Sequence, residues 1–444
     1  MQRALDFDKT PPLAVPLPFF LNVPLFALLA GALASWMGPE IFASRWSPAS
    51  LALTHLWTLG ILGSAMLGAL LQILTVACNV RATPTRPIAH SVHAALTAGT
   101  LLLAAGFLWQ WSRGWKAAVL LLAIAFGTYL VALAHALWAQ RQSVYAGARE
   151  ILVPVRGALL ALALTAVIGL TLASLRSQGV PAPARWVDGH ALWGLLGWGG
   201  LLLMGMSFQL LPIFQVTELY PAWLTRFAPW GIVVLLVAWS AAAILKPAGA
   251  HLGHVAAVTL LAMVYLIWAA VTWQRLHTRK RPTPESTTLF WYASLASLVC
   301  CGVLGMMAEG PSTQPAYTAG ILFVVGVLGS AVNGMLYKII PFLLWTHAQA
   351  AIVLPPGQMA LGRRIAKALP KMADYIPERH ARMQWGAHVL VVLTWALAAL
   401  GVNLATWLAG PCLLMSAAGL TWNLAQALRQ YRRALHRLAA VLPK

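Results

Sequence analysis

The sequence predicts an all-α polytopic membrane protein: a single transmembrane domain over residues 1–444, with twelve spans in three four-helix pseudo-repeats. Three observations predict this fold. First, only 9% of the 444 residues are charged and 60% are hydrophobic, with a mean hydropathy of +0.76, whereas soluble domains carry far more charge. Second, many segments are long and apolar enough to cross a bilayer. Third, one glycine-containing motif occurs three times.

The apolar segments define the predicted spans. A transmembrane helix needs about 20 apolar residues to cross roughly 30 Å of hydrocarbon. The chain start does not resemble a cleavable signal peptide, because Asp6 and Asp8 precede an apolar run that is too long. The twelve predicted spans are 13–38, 49–77, 87–111, 116–140, 154–175, 190–215, 228–246, 252–274, 288–308, 317–345, 385–406 and 410–428.

The basic residues predict the orientation. If both termini are cytoplasmic, most of the 30 lysines and arginines lie on the cytoplasmic side, as the positive-inside rule requires. The longest loop, 347–384, is basic, and a short amphipathic helix is predicted around residues 362–373. The tail from Leu428 is predicted to continue as a basic amphipathic helix. We therefore predict a multi-pass protein of a bacterial-type inner (plasma) membrane.

The net charge of +20 also bears on partners. It is spread over loops that face anionic lipid, so the bilayer accounts for it. No nucleic-acid partner is expected.

The motif repeats predict triplication. The copies lie near the ends of apolar segments, 137 and 129 residues apart, and such recurrence is typical of repeated membrane units. The predicted units are approximately 13–140, 154–274 and 288–428. Gln72, Gln209 and Lys338 occupy one repeat position. The three copies are Gly68 to Thr75, Gly205 to Pro212 and Gly334 to Pro341.

Histidines on equivalent spans are the first candidate site. His55 and His190 lie at similar depth in the outer halves of the second and sixth spans, and a buried imidazole in a bilayer needs a partner. Neutral imidazole is a common ligand of haem iron and copper. These side chains either hold a metal or make hydrogen bonds between helices. His251 and His254, one turn apart at the outer end of the eighth span, are further metal candidates unless they lie in the wet interface.

A second histidine group lies near the predicted cytoplasmic side. His90 and His93 are one turn apart near the start of the third span, and His135 is near the end of the fourth. His93 and His135 can meet at one depth and clamp a metal or haem, although interfacial placement is the simpler interpretation. All ten carboxylates lie in loops or at span ends. A proton pump is therefore not expected, because proton paths place ionisable groups within spans.

Three blocks resemble subunit I of the haem–copper oxidase superfamily, with C-type oxidases and nitric oxide reductases most similar. Gly189 to Pro212 resembles the sixth span of that family, and Gly320 to Pro341 resembles the tenth. The block from His55 resembles the second span. The resemblance implies that His190 stands where the family has a copper ligand, and His55 where it has an axial ligand of the low-spin haem.

The chain also departs from that family. Ala316 and Thr318 stand where the tenth span has two haem histidines, and residues 239–246 contain none of the paired copper histidines. Tyr317 offers a substitute oxygen ligand. Of six ligands, only His55 and His190 are present, so a dioxygen-reducing centre of the usual kind lacks most of its coordination sphere.

The resemblance and the departures together predict a diverged relative that keeps the scaffold. It is expected to bind haem, of b type, or copper through His55 and His190. Its expected role is electron transfer or accessory service in a respiratory chain, with a membrane or periplasmic electron-transfer partner. The alternative is a non-redox permease or assembly partner on the same scaffold. In that alternative, Gln72, Gln209 and Lys338 line a vestibule.

Overall fold

The chain forms a bundle of long helices. A computed structural model describes residues 9–82, 85–245, 250–307, 314–352, 362, 365 and 369–441, and all regular structure in these residues is helical. The long helices are α1 (Leu17–Met37), α2 (Pro48–Cys78), α3 (Thr85–Trp109), α4 (Ser112–Ala139), α5 (Arg149–Ser177), α6 (Ala184–Phe214), α7 (Ala222–Leu245), α8 (Ala250–His277), α9 (Ser286–Met307), α10 (Gln314–Ala350), α11 (Glu378–Ala399) and α12 (Asn403–Val441).

The helices confirm a polytopic helical membrane protein. Within the described residues, 11 helices are long and apolar enough to cross a membrane. The predicted span 385–406 falls on α11, a helix of 22 residues that is not among the 11. Its first five residues include Glu378, Arg379 and Arg382. The count of twelve spans therefore stays a prediction.

The predicted boundary between the last two spans was wrong. The chain turns between Ala399 and Asn403, not between residues 406 and 410. Pro411 lies well inside α12. Leu400 to Val402 close the turn through backbone hydrogen bonds to the end of α11.

Three helices form the centre of the bundle. In the most apolar 18-residue stretch of each helix, 94% of α2, 72% of α6 and 78% of α10 is buried, against 61% or less in the other spans. The remaining helices surround these three and pack largely against their neighbours in sequence. The first and last helices, α1 and α12, also pack against each other.

Each central helix contains a π-helical segment of eight residues. The segments begin 137 and 129 residues apart, the intervals that separate the glycine motifs. The segment of α10 contacts the other two. π-Helix is rare and often marks functional positions, because its wider turn frees backbone carbonyls. The segments are Leu56–Gly63 in α2, Trp193–Gly200 in α6 and Leu322–Gly329 in α10.

Side chains from neighbouring helices bind these carbonyls. The Tyr265 hydroxyl of α8 donates to the Leu196 carbonyl at 2.5 Å. The Ser294 hydroxyl of α9 donates to the Val327 carbonyl at 2.8 Å. Buried backbone groups without partners are unfavourable in a membrane, so these contacts stabilise the π geometry of α6 and α10.

The contact between α1 and α12 is close. A Cβ atom placed on Gly31 would lie 2.9 Å from the Leu414 side chain, and one on Gly410 would collide with Ser35 of α1. Small residues at a helix crossing let two backbones approach closely in a bilayer. This crossing therefore depends on glycine on both helices.

The basic loop and the tail meet. α12 continues as a helix to Val441, as predicted for the tail. Ile365 and Leu369 from the 347–384 loop are buried against Ala434 and Leu438 of α12. Most of the amphipathic helix predicted over 362–373 lies outside the described residues.

Candidate functional site: a histidine pair between the second, fifth and sixth spans

His55 lies in the second turn of α2, immediately before the π-helical segment. Its Nδ1 is 2.7 Å from the Leu51 carbonyl oxygen. A carbonyl can only accept a hydrogen bond, so Nδ1 carries the ring proton and Nε2 keeps its lone pair. No partner for Nε2 is found among the described residues.

His190 occupies the corresponding part of α6, three residues before its π-helical segment. Its Nδ1 is 3.0 Å from the carbonyl oxygen of Thr165 in α5. The same reasoning assigns the proton to Nδ1 and the lone pair to Nε2. A third helix therefore sets the tautomer and orientation of this ring.

The two imidazoles lie side by side. Their ring centroids are 6.4 Å apart and their planes differ by 19°. The Phe107 ring of α3 packs on His55 with a centroid distance of 5.2 Å and planes 26° apart. Both histidines are only half-buried, so part of each ring is not covered by protein. The structure thus brings together the two histidines that the sequence singled out.

A glycine gives His190 its space. A Cβ atom on Gly169 of α5 would lie 2.7 Å from His190 Cε1, which is too close for the ring to stay in place. Gly169 follows Thr165 by one helical turn, so both residues lie on the same face of α5. One face of α5 therefore both accepts the His190 hydrogen bond and leaves room for the ring.

An ion pair lies at the same end of α6 as His190. Arg45, in the segment before α2, contacts Asp188 of α6 at 2.9 Å. Both side chains are partly exposed, so this pair contributes little to stability. It nevertheless links the chain entering α2 to the first turns of α6, the two helices that carry the histidines.

Tyr317 is engaged elsewhere. Its hydroxyl donates to the Ile41 carbonyl at 2.9 Å and lies 3.2 Å from Ser50 Oγ. It connects the start of α10 to the segment before α2 and to the first turn of α2. Its role as an oxygen ligand stays a prediction.

The histidines of α8 are separate from the pair. The side chain of His251 lies outside the described part of the chain. His254 packs against Trp239 of α7, with ring centroids 5.4 Å apart, and its Nε2 has no hydrogen-bond partner among the described residues. The structure therefore places His254 beside α7, with no described contact to His55 or His190.

The histidines of α3 and α4 face different surroundings. His93 is half-buried and packs edge-on against Phe19 of α1 at 5.2 Å. His90 and His135 are exposed. No contact between His93 and His135 is described, and the predicted clamp stays a prediction.

The three polar residues at the shared repeat position have different interaction partners. Gln72 is buried, and neither of its amide atoms has a partner among the described residues. Gln209 is buried and engaged in an interaction. Lys338 is buried and forms an ion pair with Glu285, just before α9.

A buried polar network between α10, α11 and α12 was not predicted from the sequence. His388 is 1% exposed; its Nε2 lies 3.0 Å from Ser330 Oγ, and the ring also lies near the Val325 carbonyl. One turn earlier, Gln384 donates to Asn333 at 3.2 Å and to Ser416 at 2.9 Å. The network continues through Tyr337 and Asn423: Tyr337 donates to Gln384 at 3.1 Å, and Asn423 donates to Tyr337 at 2.9 Å.

The sequence contains a pattern from which part of this network could have been predicted. Ser330, Asn333 and Tyr337 recur at helical spacing along α10, and Gln384 and His388 are four residues apart on α11. Polar residues on one helical face within a bilayer indicate contact with another polar face. The hydrogen-bond partners lie on separate spans, so the pattern predicts that a polar contact exists but does not predict which residues form it.

No cluster of three or more histidine, cysteine or carboxylate side chains that could hold a metal ion occurs among the residues that the structure describes. The histidine pair therefore supplies two donors at most. No model of a known protein family matches the chain, and no curated protein matches it.

Proposed function

We propose that this protein is a haem-binding membrane protein that transfers electrons, with the haem iron held between His55 and His190. One observation carries the proposal: two imidazoles from different central helices lie 6.4 Å apart with nearly parallel planes. An atom bound to one nitrogen of each ring at about 2 Å separates the ring centroids by roughly 6 Å when the three atoms are in line. The observed separation fits that arrangement.

The hydrogen bonds of the pair support a ligand role. A histidine that binds a metal almost always donates its other N–H to a carbonyl, a carboxylate or water, which fixes the ring and raises the basicity of the free nitrogen. The Leu51 and Thr165 carbonyls fill this position for His55 and His190. Both rings are thus oriented with an available lone pair on Nε2.

The small number of protein donors favours haem over a bare metal ion. Tetrahedral zinc and copper(II) sites need three or four protein ligands, and no such cluster is found in the described residues. A porphyrin supplies four nitrogen ligands to the iron, so the protein needs to provide only one or two more. Two histidines are therefore sufficient.

The predicted chemistry is electron transfer. Haem supplies one-electron oxidation and reduction, and axial ligand identity helps decide whether it binds oxygen or only passes electrons. His55 and His190 would hold the group through their Nε2 nitrogens, and two protein ligands would leave no position for oxygen. These residues would then retain the group and help to set its potential.

We also propose the finer architecture. The π-helical segments recur at the intervals of the glycine motifs, which supports a chain of three repeated units on a scaffold like subunit I of the haem–copper oxidases. We place it in a bacterial-type inner membrane with both termini in the cytoplasm. A membrane or periplasmic redox protein is the corresponding partner in a respiratory chain.

The test is a pyridine haemochrome assay with absorbance and electron paramagnetic resonance spectra of the purified full-length protein. We expect about one b-type haem per chain with a low-spin bis-imidazole signal. His55→Ala and His190→Ala should each abolish that signal. The matched control is His254→Ala, which removes another histidine near the end of a span and should leave the spectrum unchanged. A colourless, metal-free preparation from haem-replete cells would overturn the proposal.

Two other outcomes identify the alternatives. Copper without haem, lost in the same two variants, would assign a two-coordinate copper(I) site to the pair. A preparation without haem or metal would favour a non-redox permease. One observation favours that alternative: the buried Gln72 amide lacks a described partner, as expected for a group that lines a path for a polar solute.

A further inference from the structure

A small cavity lies between α1, α2, α10, α11 and α12. Its polar lining consists of Trp57, Asn333, His388 and Ser416, and its apolar lining includes Val23 and Leu420. The space open to the centre of a water molecule is about 10 Å³, close to the minimum that holds one water. An apolar cavity of this size stays dry, whereas one with two to four polar partners takes up water.

The Trp57 indole has an unsatisfied donor at this cavity. Trp57 is 2% exposed, and its Nε1–H has no hydrogen-bond partner among the described residues. A buried N–H without a partner is unfavourable. Two other deeply buried tryptophans have protein partners: Trp268 donates to Ser207 at 3.0 Å, and Trp395 donates to the Ala409 carbonyl at 3.0 Å. Trp115 and Trp291 also lack a partner among the described residues, but neither lines this cavity.

Two further groups have spare hydrogen-bonding capacity. Ser416 Oγ accepts from Gln384 at 2.9 Å, and no acceptor for its own proton is found in the described part of the chain. Asn333 Oδ1 accepts one bond from Gln384 at 3.2 Å, and a carbonyl oxygen has two lone pairs. One N–H donor, one O–H donor and one acceptor therefore line the same small space.

We propose that this cavity binds one ordered water molecule. The water accepts hydrogen bonds from Trp57 Nε1–H and the Ser416 hydroxyl, and donates one to Asn333 Oδ1. Three bonds are the usual number for a buried water. The water connects the π-helical segment of α2 to the polar network of α10, α11 and α12.

The position of the site gives it a structural role near the histidine pair. Trp57 follows His55 by two residues, at the start of the π-helical segment of α2. The water therefore anchors the stretch of α2 that follows His55 to the third unit of the bundle. This inference does not require that His55 binds haem.

X-ray radiolytic labelling of the full-length protein in detergent tests the proposal. In this experiment hydroxyl radicals form from bound water and oxidise the side chains next to it. We expect Trp57 to be oxidised severalfold faster than Trp268, which is similarly buried at 1% exposure but donates its N–H to a protein group. Equal, slow oxidation of the two residues would overturn the proposal.

A cavity-filling variant gives a second measurement. Ala417 lines the cavity, so Ala417→Val should displace the water and lower Trp57 oxidation to the rate of Trp268. A folded Ala417→Val protein that keeps fast Trp57 oxidation would contradict the site. If this variant fails to fold, the comparison of the two tryptophans in the unmodified protein still decides. Neither result depends on haem content, so it is separate from the test of the proposed function.

Discussion

The histidine pair, His55 and His190, and the buried His388 differ in their protein partners and in their burial. His55 and His190 each have one hydrogen bond, to a backbone carbonyl, and are half-buried. His388 is hydrogen-bonded to the Ser330 side chain of another helix, lies near the Val325 carbonyl, and is almost fully buried. A fully buried ring that bonds a side chain of another span holds two helices together. A half-buried ring that bonds only a backbone carbonyl keeps a lone pair for a ligand.

The largest expected effect is on stability, from His388→Ala. The substitution removes the hydrogen bond to Ser330 and the contact of the ring with the Val325 carbonyl, and it enlarges a buried cavity. We expect a loss of about 2 kcal/mol or more in the free energy of unfolding. Detergent unfolding curves of the purified protein measure it.

The comparison is with His55→Ala in cofactor-free protein. That ring is only half-buried and its hydrogen bond is within α2, so we expect a loss below about 1 kcal/mol. Equal losses in the free energy of unfolding for His388→Ala and His55→Ala would contradict the distinction between a structural histidine and a ligand.

The next effect is on ligand binding, from Gly169→Ala. The added methyl group meets His190 Cε1 and turns the ring away, so we expect cofactor content to fall severalfold and the absorbance maximum to shift. Gly127→Ala on α4 is the matched control, because a Cβ atom there meets nothing within 4 Å. If Gly169→Ala retains the full spectrum, the position of His190 is unimportant to the site.

Tyr317→Phe is expected to have a smaller effect, and on stability alone. It removes the hydrogen bonds to Ile41 and Ser50, with an expected loss of about 1 kcal/mol. The absorbance spectrum should not change, because the hydroxyl is occupied by protein groups. A spectral change would show that Tyr317 is an oxygen ligand, the role that the sequence analysis assigned to it.

The smallest effect is expected from Phe107→Leu. The Phe107 ring packs on His55, and aromatic pairs contribute about 1 kcal/mol beyond burial. We expect cofactor affinity to fall by less than about tenfold, as measured by haem titration of cofactor-free protein. A complete loss would mean that Phe107, rather than the Leu51 carbonyl, orients His55.

Much of the fold follows from the sequence because hydrophobic length and glycine spacing are local signals. The apolar runs predicted helices at all twelve positions, and the motif intervals are also those of the three π-helical segments. The turn between α11 and α12 was misplaced. The break predicted between residues 406 and 410 lies inside α12, which continues through Pro411.

The candidate site was predictable only in part. Matching depth on two central spans indicated His55 and His190, and both are found together. The Thr165 carbonyl and the space left by Gly169 were not predictable, because they belong to a third helix whose rotation the sequence does not specify. His388 was missed for the same reason, since its partners are on another span and its own segment reads as the start of an apolar run.

The packing of α1 against α12 has a consequence for biosynthesis. Of the twelve long helices described, α1 leaves the ribosome first, whereas α12, its glycine-dependent partner, leaves it last. Until then, the face of α1 around Gly31 has only lipid or the translocon to contact. The contact between α1 and α12 therefore forms only after α12 has been synthesised, and a chain truncated before residue 403 should remain an open bundle that membrane quality-control proteases recognise.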